Sequence, residues 1–225
     1  QEVESMLTQK ISSATNPEIK HLLFKSFISI TRSERGIMNL MNFWTKASTP
    51  LGMEITEDEF ILMAYHIQLK SNQIAETVAD QIERLDNTDR KDEMKFIGQA
   101  LDLNESKRED FFNSLLHADN RTKESWVNQA LYFLNHPIRA KTSIKFLKPA
   151  LEELEQIQIT GDIFFPKNWL DNTLWGYNSS EAVGIINEYL ESHQHIDPKL
   201  RQKVLQSSDM VFRAEKVISD FSTAQ

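Results

Sequence analysis

The sequence predicts an all-α protein, an α-superhelix of stacked helical hairpins in the HEAT or armadillo manner, and three observations carry that prediction. Apolar residues recur at i, i+3, i+4 and i+7 down almost the whole chain, while alternating runs that would make strands are hard to find. Six Gly and six Pro in 225 residues come to about 5%, far below the ~12% of average chains and too few for the turns of an all-β fold. Helix starts fall near 2, 17, 33, 57, 72, 89, 105, 123, 138, 149, 166, 180 and 198. Two such helices make a repeat of about 30 to 36 residues, the period of helical-hairpin solenoids. The repeat is one of pattern, not of letters, and no shift in composition marks a boundary. A single α-superhelical domain over residues 1–225 is expected.

Each element has a local reason. The chain opens Gln1-Glu2-Val3 with neither an initiator Met nor a basic-then-apolar leader, so it is expected to be a processed chain or a piece of a longer one. Asn16-Pro17 caps and opens a helix whose expected face is Ile19, Leu22, Leu23, Phe27 and Ile30. Residues 47–56 read as a loop around Pro50 and Gly52. Thr56 and Glu59 have capping-box spacing, with Phe60, Ile61, Ala64 and Ile67 behind them on one face. Further stripes are Ile74, Val78, Ile82 and Leu85; Met94, Ile97 and Leu101; Phe111, Phe112, Leu115 and Leu116; and Trp126, Val127, Ala130, Leu131 and Leu134. Pro137 and Pro149 each stand where a helix begins but does not continue, which predicts helices over about 138–147 and 149–159, the second ended by Gly161. Pro166 and Gly176 bracket a short helix, Ser179 or Ser180 caps the next, and Asp197-Pro198 opens a last one with Leu200, Val204, Val211 and Ile218 inward.

Composition excludes several functions. With no Cys, the chain has no disulfide framework, thiolate metal site or thiol nucleophile. A net charge of -8 argues against nucleic acid, whose affinity rests on clustered Lys and Arg, and against anionic membrane surfaces. No apolar run approaches the roughly 18 residues of a membrane span, so no membrane insertion is expected.

Motifs that carry chemistry are scarce. H-E-x-x-H, which places two His on one helix face about a zinc ion with a Glu to take a proton from bound water, is absent. None of the six His stands three or four residues from another, and His193 and His195 read as solvated residues at a helix end. There is no G-x-S-x-G elbow, P-loop or G-x-G-x-x-G. Glu152 and Glu153 read as the solvent side of an amphipathic helix, and Arg139, Lys141, Lys145 and Lys148 as a basic helix face. Asn104-Glu105-Ser106, Asn120-Arg121-Thr122 and Asn178-Ser179-Ser180 match the glycosylation acceptor pattern by chance unless the protein is secreted by a eukaryote. The stretch Thr160 to Asp171 holds three aromatics with a Gly and a Pro, more than a solvated loop tolerates, so it is expected to be buried or in contact with something; Trp175-Gly176-Tyr177 adds amphipathic surface of the type found at interfaces.

The run Leu147 to Gln158, then Thr160 to Asp171, Ser180-Glu181-Ala182, and Leu200 to Asp209 with Phe212-Arg213-Ala214, resembles the C-terminal helical domain of bacterial zinc aminopeptidases of the aminopeptidase-N type. Asp119-Asn120-Arg121, Trp126-Val127, Leu131 and His136-Pro137-Ile138-Arg139 extend the likeness, which covers roughly 119–214. The resemblance implies a non-catalytic α-superhelical domain that closes over the peptide cleft, with zinc held by the parent's catalytic domain and no cofactor in this chain. Implied partners are that catalytic domain and peptide substrates. Gly52-Met53-Glu54-Ile55 departs from the family's G-x-M-E-N loop, so no catalytic or metal residue carries over. Arg139, Lys167, Trp169, Trp175 and Tyr177 are the residues expected to meet the catalytic domain or the peptide. The alternative is a free-standing HEAT-like scaffold that holds a partner protein or peptide in its concave groove.

Overall fold

The computed structural model describes residues 2–46, 52–71 and 76–223, and among them every regular element is helical. The expected all-α class holds. The chain divides into two compact units, 1–103 and 104–225, at a point where neither composition nor a Pro or Gly gives a signal.

The first unit holds α1 (Glu2–Ser13), α2 (Pro17–Ile30), α3 (Glu34–Trp44), α4 (Glu57–Lys70), α5 (Thr77–Arg84) and α6 (Thr88–Gly98), closed by a 3-10 turn at Gln99–Leu101. Asn16 accepts from the amides of Glu18 and Ile19 at 2.8 and 3.2 Å, satisfying two of the four amides that a helix start leaves without a partner. The capping box is complete: Thr56 Oγ1 accepts from the Glu59 amide and Glu59 Oε2 from the Thr56 amide. Helix α4 is the axis of this unit. Met63 through Leu69 are all buried, because α2, α3, α5 and the 3-10 turn pack around it, so the one-face reading from Phe60 to Ile67 was too narrow.

On α2 the expected face holds only at Phe27 and, half-buried, at Leu23. Phe24, Phe27 and Ile28 are buried, whereas Ile19, Leu22 and Ile30 are 50%, 65% and 40% exposed. The helix carries apolar residues on two sides, and packing against α1 and α4 buries the side with both Phe rings, which removes more apolar area from water. Pro50, Ile74 and the helix start near 72 lie outside the described residues.

The second unit holds α7 (Glu105–Leu115), α8 (Glu124–Leu134), α9 (Ala140–Ser143), α10 (Leu147–Glu152), α11 (Leu154–Thr160), α12 (Phe165–Leu174), α13 (Ser180–Ser192) and α14 (Pro198–Thr223). Between Pro137 and Thr160 the two expected helices are instead one run of short turns, 3-10 at Pro137–Arg139 and Ile144–Phe146 with α9, α10 and α11 between and after them. Pro149 does not start a helix: it is the third residue of α10, still within the first turn, where its missing amide has no bond to lose. Gly161 ends α11 as expected. Helix α12 packs on α8 to one side and α14 to the other, and α13 packs on α10. Ser179 caps α13, and Asp197 Oδ1 accepts from the amides of Lys199 and Leu200 to open α14. Leu200, Val204 and Val211 face inward, but Ile218 is 47% exposed because the core ends before it.

Candidate functional site

The five residues expected to face a partner all lie in the second unit, and the structure separates them. Trp169 is fully buried, donating from Nε1 to the Ala150 carbonyl at 2.9 Å and meeting Phe165 edge-on at 6.1 Å. It fastens α12 to α10 and offers no surface. Tyr177 is 4% exposed, its hydroxyl within 2.6 Å of Asn135 Oδ1 and 2.8 Å of the Ser143 carbonyl. Burial raises the Tyr177 phenol, which stays protonated as a donor. Both residues are corrected from surface to core: in each, an amphipathic ring finds its polar partner inside the fold. Lys167 is a turn from Asp171 and pairs with it at 2.5 and 2.6 Å. Arg139 is half-buried at the end of the Pro137–Arg139 turn.

Trp175 keeps a face toward solvent, at 38% exposure, and organises a cluster at the meeting of α8 and α12. Its ring stacks on Tyr132 at 4.2 Å and 3°, its Nε1 donates to the Tyr132 carbonyl at 3.1 Å, and His136 lies edge-on at 5.1 Å. His136 is buried and its Nδ1 accepts from the Ile138 amide at 3.3 Å, which places the proton of the neutral ring on Nε2. Gly176 makes the cluster possible: a Cβ there would sit 1.8 Å from the Asn135 carbonyl oxygen. Asn135 in turn donates to the Leu131 carbonyl at 3.0 Å, and Ser143 Oγ to that of Leu134 at 2.6 Å. The result is a rigid aromatic shelf. It suits contact with a flat or apolar group.

The aromatic stretch before α12 is divided. Phe165 and Trp169 are core, while Ile159, Ile163 and Phe164 are 74%, 78% and 65% exposed. The basic face is partly neutralised from neighbouring helices: Lys145 meets Glu105 at 2.9 Å and Glu109 at 2.5 Å, and Lys148 meets Glu188 at 2.8 Å. Those bonds to carboxylates hold both ammonium groups above the usual lysine range. Glu153 is not simply solvated. It accepts from buried Arg121 at 3.0 Å, and Arg121 also donates to the Leu115 carbonyl at 2.9 Å and Thr160 at 3.2 Å, tying α11 to the end of α7. His193 stacks on Tyr189 at 4.3 Å and faces Glu152 at 3.1 Å, while His195 is exposed. Burial, with Glu152 and Glu155 adding to it, pushes the Tyr189 phenol up to about 12.

Two charged residues of the first unit went unnoticed in the sequence. Glu4 on α1 sits under the start of α3: Oε1 accepts from the amides of Arg32 and Ser33 at 2.7 and 2.9 Å, and the Ser33 hydroxyl bonds Oε2. Burial pulls its carboxyl up, but those three bonds outweigh it and hold it below the ordinary range. Lys70 closes α4 by donating to the carbonyls of Ile28 and Ser29 at 2.8 and 2.7 Å. Beside Glu4 runs a groove of about 530 Å³, lined among others by Thr8, Gln9, Phe27, Ser33, Arg35 and Asn39. Nothing in the spacing of Glu4 or Lys70 signals these roles, since their partners lie 28 and 41 or more residues away.

Among the described residues no three His, Asp or Glu side chains converge as a metal-binding group. No described helix is long and apolar enough to cross a membrane. No protein-family model matches the sequence, and no curated protein is found to be similar to it.

Proposed function

We propose that the chain is the C-terminal helical domain of a zinc aminopeptidase, non-catalytic itself, which walls the chamber through which peptides reach the active site. One observation carries the reading: the segment that bears the resemblance, 119–214, lies inside a single compact unit, 104–225, and its residues hold that unit together. Arg121, Leu147, Leu151, Leu154, Phe165, Trp169 and Leu200 are all buried there. The likeness therefore includes positions that specify packing. The packing of α12 on α14 and of α10 on α13, elements two and three apart along the chain, supports the superhelical form of the proposal. Trp175, half-exposed on its shelf, is the residue of the five whose ring is open to a peptide or the catalytic domain, and Lys167 and Arg139 are half-buried.

The groove beside Glu4 is the feature that favours the second reading, a free-standing scaffold holding a partner or peptide. Assay of the complete gene product separates the two. Under the first reading it cleaves aminoacyl-anilides in a chelator-sensitive manner, the 225-residue chain alone does not, and deleting this segment changes which peptide lengths are cut. Unchanged length preference after deletion removes the chamber role, and a complete product without aminopeptidase activity leaves the scaffold.

A further inference from the structure

The C-terminal half of α14 carries an apolar stripe with no core against it. Val211 is the last buried residue among the described side chains of the helix, yet Met210, Val217, Ile218 and Phe221 are 70%, 54%, 47% and 74% exposed. Met210, Ala214, Val217 and Phe221 are spaced by four, three and four, the seam of a coiled coil. Isolated apolar residues on a surface need no explanation, but a seam of twelve residues, about 18 Å of helix, is a contiguous patch of the kind that marks an interface.

We propose that this seam pairs antiparallel with the same helix of a second copy of the chain. The seam is self-complementary about a point between Glu215 and Lys216. Met210 of one copy then faces Phe221 of the other, and Ala214 faces Val217, so each layer combines a larger side chain with a smaller one. A parallel pair would set Phe221 on Phe221 and Ala214 on Ala214, a bulge beside a gap. The charges agree with the same orientation. Arg213 and Asp220 flank the seam on its outer side, one heptad apart. The two-fold places Arg213 of each copy opposite Asp220 of the other, giving two ion pairs, whereas the parallel arrangement puts Arg213 against apolar Ile218. In the single chain Arg213 rests on Asp209 at 2.9 Å, an exposed pair of low worth that exchanges easily for the new one. Ile218, on the inner side of the seam, gains cover from its own counterpart helix. A seam this short belongs with small, weak interfaces, so dissociation constants on the order of 10 µM to 1 mM are expected.

The test is sedimentation equilibrium of the 225-residue chain up to about 1 mM. A concentration-dependent monomer–dimer equilibrium is expected, weakened at least tenfold by Val217→Asp while the helical circular dichroism and melting temperature stay as in the parent, since Val217 supports no core. Arg213→Asp weakens the dimer, and adding Asp220→Arg to it restores the pairing. Because the chain has no Cys, orientation is read directly: mixing Ala214→Cys with Val217→Cys under mild oxidation yields the mixed disulfide in preference to either homodimer. A chain that stays monomeric throughout, a dimer indifferent to Val217→Asp, or preferential Ala214→Cys homodimers overturns the proposal.

Discussion

Lys70 joins two helices, α4 and α2, through one ammonium group. Its acceptors, the carbonyls of Ile28 and Ser29, belong to the last turn of α2, where carbonyls have no partner within the helix and the helix dipole favours a cation. Burial works the other way and pushes its pKa down to about 7; Arg32 pushes in the same direction and Glu4 opposes it. The unfolded chain keeps an ordinary lysine near 10.4. Between about pH 7 and 10 the unfolded state therefore binds more protons than the folded one, and stability rises with pH across that window. Below pH 7 both states are protonated and the slope disappears. The limiting slope is about 1.4 kcal/mol per pH unit for one such group. Urea denaturation at pH 7 and 9 should show the parent gaining ~2 kcal/mol more than Lys70→Met does over the same interval. Parallel pH profiles for the two proteins would mean that Lys70 titrates as an exposed lysine.

The junction of α8 with α12 shows what an element needs that its own sequence does not state. Gly176 follows α12 and lies against the backbone between Asn135 and Pro137; an added Cβ would meet the Asn135 carbonyl oxygen at 1.8 Å and the Pro137 nitrogen at 3.2 Å. Backbone cannot swing aside as a side chain can, so Gly176→Ala should cost about 3 kcal/mol, the upper end for overpacking. Gly184, inside α13, is the matched control: nothing lies within 4 Å of its Cβ position. Gly184→Ala should stabilise by roughly 0.5 to 1 kcal/mol through helix propensity. Chemical denaturation followed by circular dichroism reads both, and equal effects would contradict the close approach at Asn135. The contrast explains what was legible. Asn16, Thr56 with Glu59, Ser179 and Asp197 act on amides two or three residues away, so the caps are written locally in the chain. The buried face of α2 is not, because Leu22 and Phe24 differ little in hydrophobicity and the choice is made by α1 and α4. Trp169 and Tyr177 look the same in sequence whether their polar atoms meet water or the carbonyls 19 and 34 residues distant that they bond.

At the scale of the whole molecule the division at residue 103 has thermodynamic content. The first unit is centred on α4, with Met63, Ile67, Leu69, Phe24, Leu40 and Ile97 in its buried set; the second gathers Leu131, Phe112, Phe146, Leu151, Trp169 and Val204. Each set is drawn from its own helices and each unit is of ordinary domain size, about 100 to 120 residues, enough to bury well over half of the unfolded chain's surface. Residues 104–225 produced alone are therefore expected to fold cooperatively into a helical protein. Tryptophan placement allows a direct check. Trp44, bonded through Nε1 to Gln81 at 2.9 Å and covered by Arg84 at 3.8 Å, reports on the first unit, whereas Trp126, Trp169 and Trp175 all belong to the second. In the Trp44→Phe variant of the full chain, fluorescence follows the second unit only. Its urea midpoint should coincide with that of the isolated 104–225 fragment, with buried Trp169 giving the main change in emission. A fragment without cooperative unfolding, or a midpoint shifted well below that of the Trp44→Phe chain, would show that the second unit depends on the first for its stability.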